Sequence, residues 1–266
     1  MTFGPHWAAL SAQEVHTRMA INAYRLPAHV RDAADAWWSQ DFSVDPSALR
    51  PATTVVQEHT GRLSGSTGIW ILVTGEFPVI SMPAKVFCVL RDTARGWSSS
   101  MVGDRAAIAD AILPFTSTRV VGPAFIGYGT GGMLNLSAAE RARPVSDSDA
   151  LAVDALRAEC KSEEWEHGGG QAGDARRFGA ADEDGRLCSL ASYVVWDRLA
   201  HVSVITRPSA RGRGFGKAAV ALAAKHAIEA GLVPQYRTLA SNDPSMRLGQ
   251  RIGFQAYGFS VSVRLA

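Results

Sequence analysis

A chain of 266 residues is long enough to bury a sizeable core, as one large domain or two small ones. Its 47% apolar and 20% charged content is ordinary for a globular protein in water, and a formal net charge of +2 gives no reason to expect a nucleic-acid or membrane partner. Three widely spaced cysteines, Cys88, Cys160 and Cys188, supply neither a disulfide framework nor a zinc site, so no metal is expected. The N-terminus shows no cationic segment ahead of an apolar run, and strings such as 69–73 are too short to span a bilayer. A cytoplasmic setting is the expectation.

In chain order, Ser11 and Glu14 have capping-box spacing and open a helix with Val15, Met19 and Ala23 on one face, ended by Pro27. A second helix is expected over 28–38, with Trp37 and Trp38 turned inward, then a loop over 41–51. Strand-like runs follow at 53–58, 69–74, 79–81 and 85–91, with glycine-bearing turns between them. The spacing predicts a helix over 104–113 ended by Pro114, and a strand over 119–128. Gly129, Gly131 and Gly132 then read as a tight strand exit, since no cation stands near them to suggest a phosphate loop. The expected architecture is α+β, with an N-terminal α+β domain over 1–140 and a second domain over 141–266.

In the second half, Val145 marks a first strand, and Asp147 or Asp149 caps a helix through Leu151, Val153, Leu156 and Cys160. An acidic cluster, Glu163, Glu164 and Glu166 around Trp165, follows at a helix end ahead of a flexible glycine loop. It reads equally as a solvated helix tip or as a patch suited to a cationic amine. Strands over 176–181 and 186–196 form a hairpin through the Asp-Gly turn at Asp184-Gly185. The next strand, 201–206, puts His201, Ser203 and Ile205 on one face and Val202, Val204 and Thr206 on the other.

That strand leads into Arg211-Gly212-Arg213-Gly214-Phe215-Gly216-Lys217, and then into an alanine-rich helix over 218–230 stopped by Gly231. A helix N-terminus already carries unpaired N–H groups and about half a positive charge. Three cations placed there would repel one another and the dipole, and an anion relieves that conflict. The glycines let the backbone close around a phosphate. Neither the Walker pattern nor G-x-G-x-x-G is met, because Lys217 stands where the third glycine of the latter belongs. Further on come a strand over 236–240, a helix opening at Asn242, and closing strands over 255–265 with Phe259, Val261, Val263 and Leu265 on one face.

The order Arg211-x-x-Gly214-x-Gly216 resembles the acetyl-CoA signature of the GCN5-related N-acetyltransferase (GNAT) superfamily. Asn242-Asp243-Pro244-Ser245-Met246-Arg247-Leu248, followed by Gly253-Phe254, resembles the later block of the same superfamily. The resemblance covers about 143–266. It implies a mixed, mostly antiparallel sheet flanked by helices over 141–266, and an acetyl-CoA-dependent N-acetyltransferase that releases CoA. Whether the N-terminal half is a degenerate copy of that fold is left open; its expected job is to form part of the acceptor cleft. The two-part layout, with Trp165-x-x-Gly168-Gly169 and the 239–254 block, resembles the zwittermicin-resistance-type acetyltransferases.

The resemblance also assigns roles. Backbone N–H groups from Gly212 through Gly214, Phe215, Gly216 and Lys217 would hold the pyrophosphate, with Arg211 and Arg213 adding charge. Val204, Ile205 and Thr206 would pair with the pantetheine arm, and an N–H near Val204 would polarise the thioester carbonyl. Asn242 and Ser245 lie at positions that meet the cofactor. An acceptor ammonium needs a base, for which His201 stands first, with Glu164 and Glu166 as alternatives or as acceptor anchors. Relatives often carry a tyrosine as acid directly after the leucine of the later block. Here that position is Gly249, and Tyr257 is the substitute within reach in sequence.

The expected partner is a small-molecule amine, such as an amino-bearing antibiotic; no nucleic acid or membrane is expected, and a homodimer is left open. Two other acceptor or functional classes remain: a peptide or protein amine, and a non-catalytic acyl-CoA sensor, since the usual acid is missing. RNA-binding Arg-Gly segments are repeated and disordered, whereas this one is single and framed by a strand and a helix.

Overall fold

A computed structural model describes residues 26–112, 119–168 and 175–265. The expected first helix, Pro114 and the glycine loop after Gly168 lie outside the described residues. The chain divides into two compact units: residues 1–126, 238–246 and 256–266, and residues 127–237 and 247–255. It is mixed α+β, with mostly antiparallel sheet flanked by helices, as the sequence suggests.

In the first unit, α1 (Ala28–Phe42) buries Val30, Ala34, Trp38 and Phe42, a four-residue step that makes one apolar stripe. Trp38 is buried as expected, whereas Trp37 is only half-buried, with the Arg62 guanidinium 4.2 Å from its ring centroid. The expected loop after α1 contains a short 3-10 turn, Pro46–Leu49, capped by Asp45 through the Ser47 N–H at 2.8 Å. Strands β1 (Val55–Glu58), β2 (Ile69–Val73) and β3 (Val79–Met82) form where the β-branched runs predict them. β1 pairs with β3 in parallel, and β2 lies antiparallel between β3 and the last strand, β10 (Gln255–Arg264). Ile71, Ile80, Val263 and Phe259 are buried in its core.

The expected strand over 85–91 is a helix instead, α2 (Ala84–Ala94). The run Val86-Phe87-Cys88-Val89-Leu90 has strand composition but helical period. Val86, Leu90 and Ala94 are buried, whereas Val89 is 62% exposed. Pro83 starts the helix, its carbonyl accepting the N–H groups of Val86 and Phe87 at 2.9 and 2.8 Å. Burial of every fourth residue overrode the local preference for strand. α3 (Ser99–Gly103) and α4 (Arg105–Ile112) follow, and then β4 (Arg119–Tyr128).

In the second unit the strand order is β9-β8-β7-β6-β5. These are β5 (Arg143–Pro144), β6 (Arg176–Ala181), β7 (Leu187–Trp196), β8 (Leu199–Thr206) and β9 (Val233–Leu239). All neighbours are antiparallel except β8 and β9, which run parallel. The hairpin between β6 and β7 turns at Gly185, whose φ of +77° suits glycine. A 3-10 turn over Asp147–Asp149, with a reciprocal Ser146–Asp149 capping box, leads into α5 (Ala150–Glu159), whose N-cap is Asp149 with no side-chain cap bond. The acidic cluster is not the end of that helix but a separate one, α6 (Ser162–Gly168), because α5 stops at Cys160.

The sheet of the second unit is packed on both faces. Val153 and Leu156 of α5 meet Leu190 and Ile205 on one, with Trp165 of α6 against them. On the other lies α7 (Phe215–Glu229), whose His226 bonds the Tyr193 hydroxyl at 2.8 Å. Ala218, Ala221 and Ala224 are fully buried, and their small side chains let the helix approach the sheet closely. α8 (Asp243–Ile252) completes the helices among the described residues.

Leu156 is fully buried, whereas Leu151 on the same helix is 85% exposed. Leu156→Ala should therefore cost about 2–5 kcal/mol in denaturant unfolding, and Leu151→Ala less than about 0.5 kcal/mol. Equal costs would mean that α5 does not bury the stripe described.

Candidate active site

The junction between β8 and α7 is built from main-chain geometry. After Thr206 the Arg207 N–H closes onto the Cys188 carbonyl at 3.0 Å, and a 3-10 turn over Pro208–Ala210 redirects the chain. Gly212 and Gly214 then take φ of +79° and +91°, a left-handed conformation that strains any residue with a Cβ. Gly214 is the N-cap of α7, and its carbonyl receives the first helical bond, from Ala218 N–H at 3.1 Å. The N–H groups of Phe215, Gly216 and Lys217 precede that bond and point out of the helix end.

Side chains brace this turn. Phe215 is buried with Ala180, Cys188, Ala210 and Ala218 and pins the first helical residue to the sheet. A Cβ on Gly216 would stand 3.0 Å from Thr206 Oγ1, so glycine there lets the helix end sit against β8. Around it stand Arg211, Arg213 and Lys217, as the sequence indicates. Sequence reasoning missed Arg141, whose Nη1 lies 3.5 Å from where a Gly214 Cβ would be. It comes from a 3-10 turn 73 positions upstream of Gly214, and no local pattern marks it.

The strand leading into the turn has one edge that β9 leaves partly uncovered. β7 runs opposite β8 along its whole length, Ser189↔Thr206 through Trp196↔Leu199. Arg207 bonding Cys188 sets the alternation: odd-numbered residues direct their backbone groups at β7, and Val202, Val204 and Thr206 direct theirs the other way. There β9 pairs only as far as Val202↔Tyr236, while β8 continues to Thr206. The Thr206 carbonyl accepts Arg211 Nε at 3.1 Å. The end of α6 approaches the Val204 carbonyl closely enough that a Cβ on Gly168 would stand 2.5 Å from it.

His201 lies on the face covered by α5, in alternation with Ile205. Its Nδ1 is 2.9 Å from Gln235 Oε1, and its ring stacks on Trp196 at 4.3 Å and 8°. Gln235 Nε2 donates to the Tyr128 hydroxyl at 2.6 Å. Burial pushes the imidazole down to about 4, with the Arg237 charge adding to that and the Gln235 hydrogen bond opposing it. Glu164 of α6 accepts from Arg211 Nη2 at 2.9 Å and from the Lys161 N–H at 3.4 Å. The guanidinium beside it holds its carboxyl below the usual range. Val204, Ile205, Thr206, the 211–217 turn, Glu164 and His201 thus all lie in the second unit.

Asn242, Ser245 and Tyr257 belong to the first unit. Asn242 caps α8, its Oδ1 accepting the Ser245 N–H at 3.3 Å. Tyr257 is fully buried, and its hydroxyl donates to Asp35 Oδ1 at 2.7 Å. Arg50 bonds the same carboxylate through both terminal nitrogens at 2.9 Å. Back in the second unit, Gly249 faces the ring of Tyr236, whose Cδ1 would lie 3.0 Å from a Cβ there. Tyr236 in turn stacks on Phe254 at 5.2 Å. Among the described residues no group of three or more His, Cys, Asp or Glu could hold a metal ion, and no helix is long and apolar enough to cross a membrane.

The depressed His201 value predicts a pH dependence of stability. Unfolded, the imidazole binds its proton near 6.5; folded, it does so near 4. Between those values the unfolded chain holds more protons, so stability falls as pH drops from about 6.5 to about 4, by about 3 kcal/mol. Denaturant unfolding of the native protein and His201→Gln at several pH values should show that the variant lacks this slope. Parallel pH profiles would contradict it.

Comparison with known proteins adds the following. No curated protein matches the chain. A GNAT-family acetyltransferase structure from Novosphingobium aromaticivorans is 23% identical over 57% of this chain and 69% of its own, with a TM-score of 0.43. A GCN5-related N-acetyltransferase from Kribbella flavida is 19% identical over 59% and 63%, with a TM-score of 0.45. A GNAT-family acetyltransferase from Colwellia psychrerythraea is 16% identical over 60% and 61%, with a TM-score of 0.42. The chain spans less than two thirds of the length of the last two. Residues 148–254, less than half of the chain but including β8, the glycine turn, α7 and α8, match the model of the acetyltransferase (GNAT) family, and this match supports N-acetyltransferase activity.

Proposed function

We propose that the chain transfers the acetyl group of acetyl-CoA to a primary amine of a small molecule by direct attack on the thioester. The observation that carries this reading is the β8–α7 junction. There, outward N–H groups at a helix end, two left-handed glycines and four cations adjoin a strand edge that β9 leaves uncovered. A coenzyme with a pyrophosphate and an amide-bearing arm needs both features side by side. The pyrophosphate would accept from Phe215, Gly216 and Lys217, and Arg211, Arg213 and Arg141 would add charge. The arm would pair with Val204 and Thr206 as one more strand. The Val204 N–H would face the thioester carbonyl, a donor worth ~3 kcal/mol once oxyanion character develops.

The amine nitrogen forms a bond to the carbonyl carbon, the C–S bond breaks, and CoA leaves as a thiolate. His201, whose neutral form is favoured by partial burial and the Arg237 charge, is available to take the amine proton before attack. Glu164, ionised beside Arg211, is better suited to attracting a cationic acceptor than to removing its proton. The thiolate would recover a proton from the intermediate's own ammonium or from water, because the Tyr257 hydroxyl is committed to Asp35. The likeness of Trp165-x-x-Gly168-Gly169 to the zwittermicin-resistance-type enzymes favours an amino-bearing antibiotic as acceptor. A cytoplasmic location goes with this reading.

A second reading is a non-catalytic acyl-CoA sensor, favoured by the Tyr236 ring lying over Gly249 where relatives often place an acid. Labelled acetyl-CoA assayed against aliphatic amines, amino sugars and a peptide with a free N-terminus separates the readings. Transfer to a small amine is expected. Thioester hydrolysis alone, independent of every amine, would favour the sensor.

Gly214→Asp should weaken CoA binding in calorimetry by on the order of a hundredfold, since it strains the N-cap and sets a carboxylate where phosphate belongs. Unchanged affinity would remove the cradle. His201→Ala should lower turnover by about 100-fold with little change in CoA affinity. Wild-type turnover in that variant would remove the base.

A further inference from the structure

Gln235 is completely buried, yet both ends of its carboxamide are engaged. It stands directly opposite His201 in the register of β8 and β9, so the parallel pairing places the two side chains on one face. Its Oε1 is 2.9 Å from His201 Nδ1, and its Nε2 donates to the Tyr128 hydroxyl at 2.6 Å. Tyr128 is itself fully buried. Trp196, stacked at 4.3 Å and 8°, fixes the plane of the imidazole from the side. An uncharged chain of this length, dry at two of its three members, costs desolvation free energy that an apolar pair would not.

We infer that Gln235, backed by Tyr128, is a positioning residue that keeps the His201 proton on Nδ1 and its lone pair on Nε2, ready to accept a proton from the acceptor amine. The inference rests on the amine-acetylation reading above. A carboxamide oxygen has no proton to give, so Nδ1 must be the donor in that contact. Neutral imidazole carries only one ring proton, so Nε2 is left as the acceptor. With its Nε2 donating to the Tyr128 hydroxyl, Gln235 turns its carboxamide oxygen toward the histidine.

The surrounding charges explain why a glutamine serves here. Arg237 is the charged neighbour on β9 and disfavours imidazolium, as burial does. Trp196 and Gln235 are uncharged, and Tyr128 is the titratable group behind Gln235. The Gln235 dipole is the one contribution that supports proton uptake. A carboxylate at this position would hold the ring protonated near neutral pH and remove the acceptor.

The test is a pH profile of kcat/KM, with acetyl-CoA and the fastest amine of the panel, for the native protein, Gln235→Glu, Gln235→Leu and Tyr128→Phe. A ¹⁵N spectrum of the imidazoles accompanies each profile. Native His201 should show its proton on Nδ1. Gln235→Glu should move the acid limb upward by at least about one pH unit, and adding His201→Ala should abolish that limb. Gln235→Leu should lower kcat by roughly 10- to 100-fold while KM for acetyl-CoA stays within about twofold. Tyr128→Phe, which keeps the ring and so the packing, should mix the two tautomers. An unmoved limb in a folded Gln235→Glu protein, or a native proton on Nε2, overturns the inference. Absence of amine acetylation by the native protein overturns instead the reading beneath it.

Discussion

Past Val202 the strand β8 keeps one hydrogen-bonding neighbour, β7, and is no longer paired with the other, β9, and the proposed chemistry of the second unit depends on that asymmetry. Main-chain donors and acceptors at Val204 and Thr206 are held rigid by β7 while their outer edge is free of β9. Nine residues after Thr206, from Phe215, the chain repeats the same offer at a helix end. Rigid, outward-facing backbone groups are good ligands because little order is lost when they bind. The glycines at 212 and 214 join the two sets within one tight turn, and Phe215 fastens that turn to the sheet. Side chains tune the charge, but the main chain provides the geometry.

How much of this was legible in the sequence follows from the distance over which each signal acts. The 211–217 turn, the Asp184-Gly185 hairpin and the Asn242 cap are local, and each appears where it was expected. The run over 85–91 was misread because composition and period disagreed within one short window. The four-residue spacing of Val86, Leu90 and Ala94 was present in the sequence but was outweighed by β-branched residues. Arg141 next to Gly214 and Tyr128 behind Gln235 involve partners far apart in the chain, and no spacing rule reaches them. Tyr257 shows the same limit. Eight residues beyond Gly249 it suggested an acid, yet its hydroxyl is spent on Asp35, 222 positions away.

Gly249 and Tyr236 make a complementary pair. An edge of the aromatic ring stands where a side chain on α8 would otherwise project, so the missing side chain is matched by a strand residue that occupies its place. Gly249→Tyr would collide with that ring, and the sequence departure therefore has a packing reason.

One guanidinium serves two elements. Arg211 donates through Nε to the end of β8 and through Nη2 to Glu164 on α6. An anion that takes the Nη2 donor leaves Glu164 uncompensated and more attractive to a cation, while a cation that takes Glu164 returns Arg211 to the turn. Thermodynamic reciprocity makes these two effects equal in size. Occupancy at the helix end and occupancy at the acidic helix would then be terms of a single equilibrium, each ligand favouring the other.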